Sequence, residues 1–175
     1  MELISKLEKL VLGWAKSVPH LPVVAQRWLG TNVWWIVLVG AIISGTAFLF
    51  ALGSVFTAVS FLAAPSALYY IAGTYSGMIV VNAIVGVVFI AIIGLLMAFA
   101  ITPLKEKQKK GWVLLFLALL VEALSVVVNA VLSFSVFGFI STLLFGVIAL
   151  AIGAYFLFEI HGQFGHVPKA TIKKA

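Results

Sequence analysis

The sequence contains no cysteine and no aspartate. Without cysteine the chain has no disulfide bond, no thiolate metal site and no cysteine nucleophile. Charged residues make up only 9% of it, against roughly 25% in ordinary soluble domains. Hydrophobic residues make up 64%, and the mean hydropathy is +1.25. This composition excludes an ordinary soluble domain and predicts an integral membrane protein.

Motifs of the common catalytic and ligand-binding sites are also absent. The sequence has no HExxH pair, no glycine-rich phosphate loop ending in lysine and no Gly-x-Ser-x-Gly elbow. The long apolar regions contain no histidine and no pair of acids. We therefore expect no enzymatic activity, no cofactor and no metal site. We also expect no nucleic-acid binding, because the basic residues flank apolar segments instead of covering a folded face.

The charged residues divide the chain into two apolar regions and three basic segments. No charged residue occurs from Trp28 to Leu104, and from Gly111 to Phe158 the only one is Glu122. Under the positive-inside rule all three basic segments face the cytoplasm, so each apolar region crosses the membrane an even number of times. This predicts a cytoplasmic (inner or plasma) membrane protein with both termini in the cytoplasm. The basic residues are Lys6, Lys9, Lys16, Arg27, Lys105, Lys107, Lys109, Lys110, Lys169, Lys173 and Lys174.

The predicted fold is an all-α bundle of four transmembrane helices. A span needs about 20 residues, which places the four spans at about 32–55, 77–101, 111–132 and 137–158. Pro103 is expected to end the second span, a cytoplasmic loop occupies 102–110, and a basic cytoplasmic tail occupies 161–175. The uncharged external segment 56–76 has three interpretations: a helical continuation broken at Pro65, a re-entrant hairpin or an additional span.

The segment 1–30 is predicted to form an amphipathic helix at the membrane surface. Leu3, Leu7, Leu10 and Trp14 recur at spacings of four, three and four residues, which places them on one helical face. The lysines beside this face would attract anionic lipid headgroups. Docking on a partner, or packing against the chain's own bundle, are the alternatives.

Tryptophan placement supports this topology independently of charge. Trp prefers the membrane–water interface, and every Trp lies at a predicted cytoplasmic boundary. The predicted interface anchors are Trp14, Trp28, Trp34, Trp35 and Trp112.

Small residues recur at helical spacing in the first and fourth spans. Such faces let helices approach closely in lipid, where van der Waals contact is a main source of association. The faces serve either packing within one bundle or assembly into a homo-oligomer or a larger membrane complex. The predicted packing positions are Gly40, Ser44, Ala47, Ala51, Gly138, Gly146 and Gly153.

Glu122 is the one formal charge inside a predicted span, and it begins a line of polar residues. Ser125 and Asn129 follow on the same side of the helix, and Asn82 in the second span is a candidate partner. A carboxyl group in this position is costly by about 2.5–3.5 kcal/mol and usually faces the protein interior or a wet cavity. The line therefore indicates either a hydrophilic path to mid-membrane or a neutral glutamic acid that joins helices by hydrogen bonds.

A second polar group, Glu159, His161 and His166, lies at the end of the fourth span. Its spacing matches no zinc signature, so we interpret these residues as interfacial.

The functional expectation is a non-enzymatic accessory, scaffold or assembly protein of the membrane. The alternative is a small oligomeric channel or transporter with a polar path around Glu122.

Overall fold

The computed structural model describes residues 6, 13, 18–63, 68–133 and 135–164, and within 61–79 the backbone only. Over these residues the chain forms four long helices and no strand: α1 (Val23–Ala63), α2 (Leu68–Lys105), α3 (Lys109–Val131) and α4 (Val136–Glu159). A 3₁₀ turn, His161–Gln163, follows α4. All four helices are long and apolar enough to cross a bilayer. The prediction of an all-α fold with four long apolar helices is therefore confirmed, and these helices are compatible with a multi-pass membrane protein. The residues that define the predicted amphipathic face, and most of the basic tail, fall outside the described residues. The last part of the predicted segment 1–30 belongs to α1 instead, because α1 begins at Val23.

Each helix packs against the next one in the chain. Because the α2–α3 and α3–α4 connections are only a few residues long, consecutive helices run antiparallel. The starts of α1 and α3 and the ends of α2 and α4 therefore lie together. We name this the basic end, because Arg27, Lys105, Lys107, Lys109 and Lys110 are all located there.

The connection between α2 and α3 is a helix-ending turn with a lysine in the left-handed region. Lys107 has φ = 54°. Its N–H donates to the Leu104 carbonyl at 3.0 Å, and the Gln108 N–H donates to the Pro103 carbonyl at 2.8 Å. This hydrogen-bond pattern is a Schellman motif, which usually has glycine where Lys107 lies.

Pro103 does not end α2, contrary to expectation. The helix continues through it to Lys105. Because Pro103 lies in the last turn, the missing N–H costs one hydrogen bond, while its carbonyl is still used as an acceptor in the turn.

The two hairpins of the fold differ in length. Helices α1 and α2 have 41 and 38 residues, whereas α3 and α4 have 23 and 24. At 1.5 Å per residue, α2 is longer than α3 by about 22 Å. The close approach of Gly94 to Ser44 sets the register of the long hairpin and puts Val55 level with Ala83. The segment that reaches beyond α3 and α4, residues 55–63 and 68–82, is named the hairpin extension.

A buried hydrophobic cluster lies at the basic end. All four helices contribute to it, and the residues after α4 complete it. Nearer the hairpin extension, the buried residues are on α3, at Ser125, Val126 and Ala130, and α3 is the most buried of the four helices. The members of the cluster are Val33, Val37, Ala100, Leu104, Trp112, Phe116, Leu157, Phe158, Ile160 and Phe164.

Candidate functional site

Glu122 lies just past the middle of α3 and lines a cavity between the helices. The cavity has a volume of about 600 Å³, and residues from all four helices form its wall. The Glu122 side chain is half-buried. None of the hydrogen bonds and ion pairs among the described residues involves its carboxyl group. The Glu122 carboxyl group therefore faces an open space near the middle of a long apolar helix, and it has no partner among the described residues.

The two other predicted polar residues of α3, Ser125 and Asn129, bond to each other within the helix. The Asn129 amide Nδ2 donates to the Ser125 carbonyl at 2.8 Å and to the Ser125 Oγ at 3.0 Å. Ser125 itself is buried. These two residues form a local pair and share no hydrogen bond with Glu122 in the described part of the chain.

Asn82 on α2 is also separate from Glu122. Its side-chain oxygen is buried and has no hydrogen-bond partner among the described residues. Glu122, Ser125, Asn129 and Asn82 thus provide a half-buried carboxyl group, a pair bonded within one helix and a buried amide oxygen without a hydrogen bond among the described residues. They form no continuous hydrogen-bonded path in the part of the molecule that the structure describes.

The small residues of α1 lie at its contact with α2. A Cβ on Gly40 would collide with the Met97 terminal methyl group, and a Cβ on Gly94 would lie 3.4 Å from the Ser44 Cβ. Ala47 and Ala51 follow at helical spacing and are half-buried.

The small residues of α4 face α3. A Cβ on Gly146 would overlap the Val126 side chain, and one on Gly153 would lie 3.2 Å from the Leu119 Cδ1. Gly138 differs, because its neighbours are Ser133 and Ser135 in the α3–α4 turn. The Gly138 N–H donates to the Ser135 Oγ, which caps the start of α4.

Trp112 is located in the core, which differs from its expected place at a lipid interface. Its side chain is 1% exposed. The indole Nε1 donates to the Leu157 carbonyl at 2.8 Å, one of the last carbonyls of α4, which lack a partner in their own helix. Its ring stacks on Phe116 and meets Phe158 edge-on. An aromatic ring with one polar atom suits this position as well as it suits an interface.

The other predicted anchors remain on the surface where the structure describes them. Trp28 and Trp35 are exposed, and Trp34 is half-buried with the Lys105 ammonium 5.4 Å from its ring centroid. Trp14 lies outside the described residues.

A second polar site joins the chain before α1 to the end of α4. The Glu159 carboxyl is only 4% exposed, and it accepts hydrogen bonds from the Leu21 N–H at 3.0 Å and the Gln26 Nε2 at 2.8 Å. Its other oxygen lies 2.7 Å from the His20 Nδ1. We name residues 18–26 the strap: they comprise the segment before α1 and the first turn of α1, and they bind the end of α4.

The strap has two further attachments. The Tyr155 hydroxyl donates to the Pro19 carbonyl at 3.0 Å, and the Gln163 side chain donates to the Gln26 carbonyl. The Gln163 side chain packs directly against Gly30, where a Cβ would overlap it. The sequence gives no signal for this site, because its members lie more than 130 positions apart.

Glu159 and His161, which the sequence analysis grouped with His166, therefore have separate contacts in the structure. Glu159 bonds to the strap, and His161 packs edge-on against Trp112 with ring centroids 4.6 Å apart. His166 lies outside the described residues. Within the described ranges no group of three possible metal ligands occurs.

Gly111 is a structural position that sequence reasoning missed. A Cβ there would lie 2.6 Å from the Leu104 backbone nitrogen and 2.9 Å from the Pro103 carbonyl carbon. Both are backbone atoms, which cannot move aside as a side chain can. The backbones of α2 and α3 thus approach closely at Gly111.

Comparisons with protein-family models, with curated proteins and with solved structures find no match to this chain.

Proposed function

We propose that the protein is a non-enzymatic assembly component of a membrane, which binds another membrane protein through its hairpin extension. The observation that carries this proposal is the length of α1 and α2. The hydrocarbon core of a bilayer is about 30 Å thick, whereas a helix of 41 residues spans about 61 Å. Much of the long hairpin must therefore lie outside the hydrocarbon or be steeply tilted.

The surface of the extension is poorly suited to water. No charged residue occurs in 55–82, and the Phe56 side chain is 73% exposed. The hydroxyl groups of Thr57 and Ser60 donate to carbonyls of their own helix at 3.0 and 2.8 Å. Exposed apolar surface of this kind usually marks a contact with another protein or with lipid.

A site-specific photo-crosslinker tests the proposal. We would place it at Phe56 and, as the matched control, at Phe145 of α4, which is 70% exposed but lies within the span. In native membranes, we expect a discrete protein adduct from position 56 and only lipid adducts from position 145. An adduct with the mass of a second copy of the chain would identify a homo-oligomer. Lipid adducts alone at both positions would refute assembly through the extension.

For localisation we propose a cytoplasmic (inner or plasma) membrane with the basic end and both termini in the cytoplasm. The basic end then contacts anionic headgroups, with the part of segment 1–30 that precedes α1 along the surface, as supported by the position of the basic residues. Because the chain has no cysteine, single cysteines introduced at Gln108 and Ser135 report on the two sides of the membrane. A membrane-impermeant maleimide on intact cells should label only position 135, and labelling at position 108 would reverse the topology.

The alternative function is a small oligomeric channel or transporter around Glu122. In its favour, Glu122 faces a cavity to which all four helices contribute. Against a water-filled path, the rest of the cavity wall is apolar, and Ser125 and Asn129 bond to each other. Ion flux in reconstituted vesicles that is abolished by Glu122→Gln would support transport, and absence of flux in the unmodified protein would exclude it.

A further inference from the structure

The cavity beside Glu122 has the dimensions and wall of a ligand site. Its volume of about 600 Å³ lies within the roughly 300–1,000 Å³ of small-molecule sites. The wall includes Val33 and Val37 of α1, Met97 of α2, Leu119 of α3 and Phe156 of α4. Apart from Glu122, every residue of the wall is apolar or glycine. The cavity is also partly open at the surface of the helices, which gives a ligand a way in.

Charge is distributed unevenly in this cavity. Glu122 is the only ionisable residue on the wall, and no lysine, arginine or histidine is among the described residues that line it. The carboxyl group also lacks a hydrogen-bond donor in the described part of the protein. A carboxylate in an apolar site is stabilised when an opposite charge lies beside it. The protein provides the negative group and the apolar surroundings, but not the positive group.

We propose that the cavity binds a monovalent lipophilic cation, whose apolar body fills the space and whose positive charge pairs with Glu122. A neutral lipid chain would fill the space but leave the carboxyl group unpaired. A lipophilic anion would be repelled by the carboxylate. A hydrated metal ion would lose its water against an apolar wall that offers no further oxygen ligands.

This inference does not depend on the function proposed for the hairpin extension. The cavity reaches from Glu122 toward the basic end, where Leu29 and Ile160 line it, whereas the extension lies beyond the other end of α3. It does not require transport either, because saturable binding without flux still fulfils it.

The direct test measures binding of tetraphenylphosphonium to the purified protein in lipid nanodiscs, with protein-free nanodiscs as the blank. The matched probe is tetraphenylborate, which has nearly the same size and shape and the opposite charge. We expect saturable binding of the phosphonium at one site per chain and no saturable binding of the borate.

Two variants locate the site. Glu122→Gln keeps the volume of the side chain and removes the charge, and should weaken phosphonium binding by about tenfold or more. Glu106→Gln removes one charge from the exposed turn between α2 and α3 and should leave binding unchanged. Equal binding by the Glu122→Gln and unmodified proteins, equal binding of both probes, or no binding above the blank would each overturn the proposal.

A measurement on the unmodified protein avoids dependence on how the variants fold. The membrane-soluble reagent dicyclohexylcarbodiimide modifies carboxyl groups in apolar surroundings, and peptide mass spectrometry identifies the modified residue. We expect modification at Glu122 and a slower rate when phosphonium is present. Modification at the same rate with and without phosphonium would contradict occupancy of the cavity.

Discussion

Glu159 and His20 lie 139 positions apart in the chain, and their side chains meet at 2.7 Å between Oε1 and Nδ1. The contact is part of the strap, in which one nearly buried carboxyl group receives several hydrogen bonds. The strap links the first helix to the last one, although α1 and α4 have few close backbone contacts.

The first prediction concerns the strap. Glu159→Ala leaves the Leu21 N–H and the Gln26 amide without their acceptor, so we expect a loss of about 2 kcal/mol in the free energy of unfolding. SDS titration followed by circular dichroism measures this loss. Hydrogen exchange at the Leu21 amide should also become faster.

Two controls make the strap prediction specific. Glu106→Ala removes an exposed carboxyl group and should change stability by less than about 0.5 kcal/mol. His20→Ala should cost less than about 1 kcal/mol, because His20 is 56% exposed. If the Leu21 amide exchanges at the same rate in Glu159→Ala as in the unmodified protein, the strap is not held by this carboxyl group.

The second prediction concerns the contact between α3 and α4. Gly146→Ala places a methyl group where the Val126 side chain lies, and overpacking of this kind costs about 1–3 kcal/mol. The double variant Gly146→Ala with Val126→Ala should recover part of that loss, since the second change makes room for the first.

Gly86→Ala is the matched control for this contact. Gly86 lies within α2, and its Cβ would have no neighbour within 4 Å. We expect no loss, or a gain of up to about 1 kcal/mol from the higher helix propensity of alanine. Equal destabilisation by Gly86→Ala and Gly146→Ala would show that the α3–α4 contact is not the cause.

The third prediction concerns Trp112. Trp112→Phe keeps an aromatic ring but leaves the buried Leu157 carbonyl without its donor, which should cost about 1–2 kcal/mol. Trp28→Phe, at an exposed position, should cost little. The fluorescence of Trp112, isolated by replacing the other tryptophans with phenylalanine, should resist a water-soluble quencher. Ready quenching would place the indole at the surface.

The fourth prediction concerns the left-handed lysine in the α2–α3 turn. Lys107→Gly removes the steric cost of a side chain at φ = 54° and should raise stability by about 1 kcal/mol. Lys110→Gly removes the same charge from the first turn of α3 and should lower stability by up to about 1 kcal/mol. SDS titration distinguishes the two, and a loss of stability in Lys107→Gly would contradict the assigned turn.

The all-helical fold and the number of long apolar helices could be predicted, because both depend on local composition. A long uncharged stretch bounded by lysines indicates a span, whatever the helix packs against. The Pro103 expectation was wrong for a local reason: a proline near the end of a helix removes one hydrogen bond, and the last turn tolerates that loss.

The sites were less predictable, because their geometry depends on contacts between distant parts of the chain. Glu122 stands out in the sequence as a lone charge, yet its apolar surroundings come from three other helices. Trp112 has the sequence context of an interface anchor, and its burial follows from Phe158 and the Leu157 carbonyl at the far end of the chain. Likewise, nothing near Gly111 in sequence shows that the backbone of α2 lies against it.

The strap also has a consequence for how the protein is made. During synthesis the N-terminal part of a chain is available first, so α1 and α2 can enter the membrane and pair before α4 exists. His20, Leu21 and Gln26 must wait for Glu159, which is translated more than 130 residues later. The basic end can therefore close only after α4 has been synthesised, and until then the wall of the Glu122 cavity lacks its α4 side.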